Sequence, residues 1–380
     1  MIKKKNTAVM YGAGNIGRGF IGQIFADSGF EVVFIDIDPE IVSALNERGA
    51  YTQEIVENDL SQKREIIGVR AVDGRNKKAV ADEIANCEIM AVSVGAAVLP
   101  YIAPMVADGL VKRTNPLNIL VCENLAHAPE VFKEYVSGHL NDKSKLDKVG
   151  FIGTSIGRMV PVMPPQQTAS DPTLITVEAF CTLPIDKDAI IEPMPELKHT
   201  VKCSPFAFEE GKKLYIHNMG HAIAAYLGAL KGYKFIWQTV EDDEIYSNVH
   251  NAMSATGQAL VKKYSDDIIK VTSYMNDLLS RFGNKGLGDT VARVGGDPMR
   301  KLAPDDRLAG ALNLCKEQNI DYNPILAGIA AAIKYNAADD LSAGKLQEKI
   351  QKTGASVFLK EYSKLSDNDI SAILAEYKDL

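Results

Sequence analysis

Cysteine is sparse in this chain and follows no pairing pattern. Cys87, Cys122, Cys181, Cys203 and Cys315 are odd in number, widely spaced and free of any C-x-x-C pair. Such a set excludes a disulfide framework, leaves no legible zinc site, and fits reduced thiols that behave as small hydrophobes. No metal is expected. A basic excess is also missing: 42 Lys and Arg stand against 49 Asp and Glu, for a net charge of −7. That balance argues against nucleic acid, whose phosphates must be neutralised, but leaves room for a small anionic substrate. Long apolar runs are absent too. The longest, Ile325 to Ile333, is under half of the ~20 residues that span a bilayer. The start, Met1-Ile-Lys-Lys-Lys, has the charge of a signal peptide, but its apolar run reaches only from Ala8 to Tyr11. A soluble, cytoplasmic protein without membrane association is expected. Repeats and low-complexity segments are lacking as well.

What remains is an ordinary globular composition, 46% hydrophobic and 24% charged, in 380 residues. That length suggests two domains. Thr7 to Tyr11 reads as a short strand and runs straight into Gly12-Ala13-Gly14-Asn15-Ile16-Gly17. A helical pattern follows, and then Glu31 to Asp36 reads as a buried strand. Strand, glycine turn, helix and strand form the context in which G-x-G-x-x-G binds a dinucleotide. Gly12 permits the tight turn, Gly14 lets backbone approach a pyrophosphate, and Gly17 lets helix pack on strand. The helix start offers N–H groups to the phosphates, so residues 12–17 are the expected cradle. Asp36, ~20 residues beyond the last glycine, can accept hydrogen bonds from the adenine-ribose hydroxyls and repel a 2′-phosphate. Asp38 adds to that repulsion and no arginine follows directly, so the cofactor is read as NAD.

Tyr51 to Val72 holds two β-like stretches, taken as an insertion or edge hairpin. Glu88 to Gly95 is an apolar strand whose small end, Val94-Gly95, is expected at the cofactor crevice. Leu117 to Cys122 is another buried strand and leads into Glu123-Asn124. Phe151 to Ile156 closes the series, and Leu174 to Cys181 adds a strand. From Pro205 onward helical patterns dominate. The proline-rich Ile191 to Pro195 resembles a junction. The expected organisation is an NAD-binding domain over residues 1–200 and an all-helical catalytic domain over 201–380.

The second domain opens on Ser204-Pro205, a helix-start pair, and then Lys213-Leu-Tyr-Ile-His-Asn218-Met-Gly-His221. At about 100° per residue, His221 falls roughly 80° and Asn218 roughly 140° around a helix from Lys213. The three share one broad face. A desolvated lysine there can serve as a base, but spacing alone favours the plainer reading of a solvated lysine, a capping asparagine and a core histidine on an ordinary helix. A nicotinamide cofactor implies hydride transfer. Alcohol oxidation needs a base and donors to the developing alkoxide. Lys213 is the candidate base, Asn218 and Asn124 the candidate donors, and His221 a candidate neighbour of lysine or substrate.

Lys-x4-Asn-x2-His resembles the signature of the polyol-specific long-chain dehydrogenases. The likeness extends over nearly the whole chain. It includes Gly12 to Gly22, Cys122-Glu123-Asn124, Gly220-His221, Arg281-Phe282, Arg293-Val294-Gly295, Arg300-Lys301-Leu302 and Asp306-Arg307-Leu308. The resemblance implies an α/β N-terminal Rossmann-type doubly wound sheet followed by a mostly α-helical C-terminal domain. It implies a metal-independent, NAD-dependent interconversion of D-mannitol 1-phosphate and D-fructose 6-phosphate. Lys213 is implied as base, Asn124 and Asn218 as the oxyanion pair, and His221 as a substrate neighbour. Two departures bear on the substrate. Gly157-Arg158 stands where relatives tend to carry Asp-Arg, and Gly296-Asp297 follows Arg293-Val-Gly where close relatives carry arginine. Arg300, Lys301 and Arg18 remain the candidate substrate ligands, since arginine forks onto phosphate oxygens. The alternatives are an unphosphorylated polyol or hexuronate substrate and, last, a non-catalytic NAD sensor.

Overall fold

The computed structural model describes residues 6–161, 163 and 170–380. The chain divides into two compact units, Met1–Glu209 and Glu210–Leu380. In the first, six parallel strands lie in the order β5-β2-β1-β6-β7-β8. These are β1 (Thr7–Tyr11), β2 (Glu31–Asp36), β5 (Val69–Asp73), β6 (Ile89–Val92), β7 (Leu117–Val121) and β8 (Val149–Gly153). The strands β6, β7 and β8 are buried along their whole length, as expected for a parallel sheet covered on both faces. One face packs against the helices Lys77–Asn86, Leu99–Lys112 and Ala128–Ser137, with Ile84, Val106 and Phe132 among the side chains they contribute. The other face gathers Phe20, Ile24, Phe34 and Tyr51. Strand order reverses between β1 and β6, and at such a switch point the carboxyl ends of the strands open a crevice.

The expected hairpin is present as β3 (Ala50–Glu57) and β4 (Leu60–Ile67), paired antiparallel. It forms a separate three-stranded sheet with β9 (Ile175–Glu178), so the Leu174–Cys181 stretch pairs with the hairpin rather than with the main sheet. Val69–Asp73, which the Tyr51–Val72 insertion reading covers as far as Val72, is instead the edge strand beside β2. Its Val69 and Ala71 are buried there. This side sheet supports the glycine turn. The helix after the turn begins as a π-turn, Gly17–Ile21, and the Arg18 carbonyl accepts hydrogen bonds from Tyr51 Oη and Gln53 Nε2, each at 2.8 Å. A widened turn leaves carbonyls outside the ordinary helical ladder, and β3 supplies the donors.

The first unit extends to Glu209 because β10 (Leu183–Asp186) and β11 (Thr200–Cys203) pair in parallel. The Ser204 hydroxyl also donates to Asp188 at 2.6 Å. The Ile191–Pro195 stretch therefore lies inside this unit, with Ile191 tied to Asn118 through both its N–H and its carbonyl.

Among the described residues, the second unit is built of helices. At its centre the helix Met219–Leu230 is buried from Met219 through Gly228. Around it pack Asp243–Tyr264, Val291–Gly295 and Asn323–Lys334. Glycines permit the close approaches: a Cβ on Gly228 would fall 2.3 Å from Thr239, and one on Gly328 2.4 Å from Ile223. Within this helical unit Asp305–Leu308 is a turn, and helix begins only at Ala309. No helix among the described residues is long and apolar enough to cross a membrane.

Candidate active site

The glycine turn is built as a cradle. Gly12 sits at φ +101°, and a Cβ there would fall 2.2 Å from the Ser93 carbonyl oxygen. A Cβ on Gly17 would fall 2.0 Å from the Gly12 oxygen, so helix and strand touch through backbone. Gly14 differs: it is exposed, and a Cβ there would meet nothing within 4 Å. That open space over a helix start is what a pyrophosphate needs. Asp36 lies at the end of β2. Its Oδ2 accepts from the Ala13 N–H at 2.7 Å and its Oδ1 from the Asp38 N–H at 3.0 Å. Each oxygen keeps lone-pair capacity for a ribose hydroxyl. Asn15 and Ile16 complete the turn, with Asn15 Nδ2 3.5 Å from the Pro161 carbonyl. Gly17→Ala is expected to cost about 1–3 kcal/mol and to weaken NADH binding, because the opposing atom is backbone. A melting curve and NADH titration matching wild type would refute the packing argument.

Val94 and Gly95 follow β6, and both backbone N–H groups donate to Glu123 Oε1, at 2.7 and 3.0 Å. Burial raises the Glu123 carboxyl, while these two N–H groups oppose the rise. Glu123 therefore ties the end of β7 to the loop after β6, a role its sequence position beside Asn124 hinted at without specifying. Asn124 is exposed in the loop after β7.

In the second unit, Lys213 lies on a π-turn, Lys212–Asn218, between the helices Phe206–Gly211 and Met219–Leu230. This departs from the regular α-helix expected from sequence. In an α-helix residues five apart point about 140° away from each other. A π-turn bonds i to i+5 and brings such residues toward one face. Lys213 and Asn218 are five apart, so the widened turn removes most of their angular separation. Lys213 Nζ lies 3.2 Å from His217 Nδ1. His217 is only 2% exposed and was absent from the expected site. Burial holds its imidazole well below the usual range, reinforced by Lys213, His221, Arg281 and Arg307. It is neutral at physiological pH.

His221, one turn further on, stacks on Phe282 with ring centres 4.5 Å apart and planes 12° apart. Its Nε2 is 3.3 Å from Asp289 Oδ2, close enough for an ion pair but outside hydrogen-bond alignment. Burial lowers the His221 imidazole and outweighs Asp289, which opposes it. Burial pushes the Asp289 carboxyl up, but His221 and Arg293 overcome this and hold it below the usual carboxylate range. Arg293 forks onto both Asp289 oxygens at 2.6 Å.

The three candidate substrate cations are placed differently. Arg18 is buried, its Nε donating to the Ala13 carbonyl at 2.6 Å and its Nη1 to Pro172 at 3.0 Å. Lys301 is also turned inward, its ammonium on the carbonyls of Val294 and Gly296. Burial, with Arg307 and Arg300, lowers its pKa to about 7. Arg300 is half exposed and pairs with Asp297 at 2.8 Å and Asp306 at 3.4 Å. The two departures have structural settings. Asp297, at φ +57°, caps Pro298–Lys301, and the Gly296 carbonyl is one of the Lys301 acceptors. Arg158, beside Gly157, donates to the carbonyls of Glu178 and Gly19.

Comparison with known proteins adds the following. The model of the mannitol dehydrogenase Rossmann domain matches residues 6–199, and that of the mannitol dehydrogenase C-terminal domain matches residues 206–380. A mannitol-1-phosphate 5-dehydrogenase of Geobacillus thermodenitrificans is 34% identical, with 98% of each chain covered. One from Lactiplantibacillus plantarum is 33% identical, with 97% of each covered. Among solved structures, mannitol 2-dehydrogenase of Pseudomonas fluorescens, in complex with NAD and D-mannitol, has a similar fold at 15% identity. Its TM-score is 0.77, with 100% of this chain and 92% of that one covered. A D-sorbitol dehydrogenase gives the same TM-score at 17% identity, with 98% and 93% covered.

Proposed function

Since the chain belongs to the mannitol dehydrogenase family, we propose that it interconverts D-mannitol 1-phosphate and D-fructose 6-phosphate with NAD. The observation that carries the chemistry is the π-turn, in which Lys213 lies beside the His217 imidazole and whose i to i+5 bonding favours a common face for Lys213 and Asn218. The substrate is taken from two near-full-length relatives that bear that activity in their names.

In the oxidative direction the Lys213 amine takes the proton of the secondary hydroxyl. The Asn218 amide donates to the alkoxide as it forms, and Asn124 is the second donor that the sequence resemblance implies. In the reductive direction the Lys213 ammonium returns the proton to the same oxygen. His221, held between Phe282 and Asp289, offers a fixed imidazole edge to a neighbouring hydroxyl. NAD, when bound, supplies the hydride acceptor. The residues that would hold it are Gly12 to Gly17 and Asp36, and the open space at Gly14 and the two oxygens of Asp36 suit it. A carboxylate at the end of β2, with Oδ2 against the turn at Ala13, favours NAD over NADP, since it can accept from ribose hydroxyls and would repel a 2′-phosphate.

For the phosphate we carry forward Arg300, the one of the three candidate cations with its guanidinium substantially exposed. The unphosphorylated reading draws support from the same place, because Asp297 and Asp306 already pair with that guanidinium. A ketose panel separates the two. With NADH, D-fructose 6-phosphate is expected to be reduced with a kcat/KM about 100-fold above that of fructose, the worth of one or two charge-assisted hydrogen bonds. Equal efficiencies, or faster reduction of a keto-hexuronate, would overturn phosphate recognition.

A further inference from the structure

His217 has no part in the mechanism above, yet it is the side chain seated on the lysine. It lies one turn after Lys213 in the same π-turn, with Nδ1 3.2 Å from Nζ. Its ring is fixed edge-on against Phe282, centres 5.7 Å apart at 63°, and tilted against His221 at 6.1 Å. The charges that face it are those of Lys213, Arg281 and Arg307, with His221 as a fourth titratable neighbour. The buried face of the helix Asp243–Tyr264, which packs on this turn, contributes no charge. Burial together with these cations disfavours a cationic imidazole.

A neutral imidazole has one donor nitrogen and one acceptor nitrogen. With an ammonium against Nδ1, that nitrogen must be the acceptor and the proton resides on Nε2, and the same tautomer can go on accepting an N–H from the free amine. A protonated ring would offer two donors and turn a repelling edge to the lysine.

We propose that His217 is a positioning residue for Lys213: its Nδ1 accepts one N–H of the lysine in both protonation states and so sets where the amine lone pair points. The proposal rests on the reading of Lys213 as the base. A free amine carries two N–H bonds and one lone pair. Anchoring one N–H on a rigid ring leaves fewer orientations, and the productive one is populated before substrate arrives. His221 is less suited to this task, since its Nε2 faces Asp289. The same contact favours the ammonium, because an acceptor stabilises the charged form.

Two opposite substitutions test this. His217→Phe keeps a ring against Phe282 and removes the acceptor, whereas His217→Asn loses the ring and keeps an acceptor oxygen close to the place of Nδ1. Both are assayed with NADH on the ketose that wild type reduces fastest, and in reverse on its alcohol, beside Lys213→Ala. In His217→Phe, kcat is expected to fall about 10- to 100-fold with KM and NADH affinity little changed. The acidic limb of the oxidative pH profile is expected to move to lower pH, because the acceptor that favoured the ammonium is gone. His217→Asn is expected to recover most of kcat and to return the limb. Wild-type kcat and an unmoved limb in His217→Phe would overturn the proposal. So would a His217→Asn enzyme as slow as His217→Phe, since the ring rather than Nδ1 would then matter. If His217→Phe does not fold, His217→Asn decides alone: near-wild-type kcat supports the proposal and a large loss overturns it. Lys213→Ala separates the premises: activity without the lysine removes the base reading itself, whereas an inactive Lys213→Ala beside an unaffected His217→Phe removes only the role of His217.

Discussion

Lys213→Ala is expected to lower kcat in both directions by about 10³- to 10⁴-fold while NADH binds with an unchanged Kd. The size follows from what the residue is asked to do. General-base assistance to a hydroxyl proton falls in that range, and neither nearby imidazole is suited to replace it. His217 and His221 are both held below the usual imidazole range, with His217 enclosed by cations and His221 turned to Asp289. The unchanged NADH affinity follows from where the cofactor residues lie. Gly12 to Gly17 and Asp36 belong to the first unit, and Lys213 belongs to the second. Measured by stopped-flow hydride transfer and NADH fluorescence titration, a mutant within tenfold of wild type would remove lysine from the mechanism. A parallel loss of NADH binding would show that the lysine acts on the cofactor instead.

Asp36→Ala is expected to reduce the preference for NAD over NADP by about 100-fold, chiefly by weakening NAD. Wild-type Asp36 does two things at once. Its carboxylate would repel a 2′-phosphate, and its two oxygens anchor the N–H groups of Ala13 and Asp38. Alanine relieves the repulsion and also loosens the turn. NADP use is thus expected to rise only modestly while NAD affinity falls. Asp36→Asn separates the effects, because its amide oxygen keeps one anchor and the charge is gone. Kinetics with both coenzymes check this, and equal use of NAD and NADP by the unmutated enzyme would sink the ribose argument.

Much of the fold was legible because its signals are local. The glycine turn lies between two short apolar strands, and the requirement for glycine at positions 12 and 17 comes from backbone atoms within that same unit. Five of the six parallel strands read as apolar runs because both faces of their sheet are covered. Where the reading departed from the structure, the cause was long-range pairing. Val69–Asp73 has the same β-leaning composition as the hairpin before it, and only its partner, β2, makes it part of the main sheet. Asp305–Leu308 carries a helical pattern, but its backbone is used otherwise: the Asp305 carbonyl accepts from Tyr215 at 3.4 Å and the Leu308 N–H donates to Lys301.

The candidate site divides along the same line. Its candidate residue types and their order, from the glycine cradle through Asp36 and Asn124 to Lys213, Asn218 and His221, are written in short stretches of sequence. Helical phase was not. A change from α to π hydrogen bonding leaves no mark in a seven-residue pattern, yet it changes the angle between Lys213 and Asn218, and His217 Nδ1 lies against the lysine in the same turn. Nor could composition reveal the commitments of the cations. Arg18 and Lys301 are candidate substrate ligands in sequence, but packing buries them and backbone carbonyls take their charged heads. Glu123 reaches Val94 and Gly95, and Asp289 reaches His221, across gaps of many residues. A polar group taken out of water must find a partner wherever the folded chain supplies one, and only the completed packing decides which partner that is.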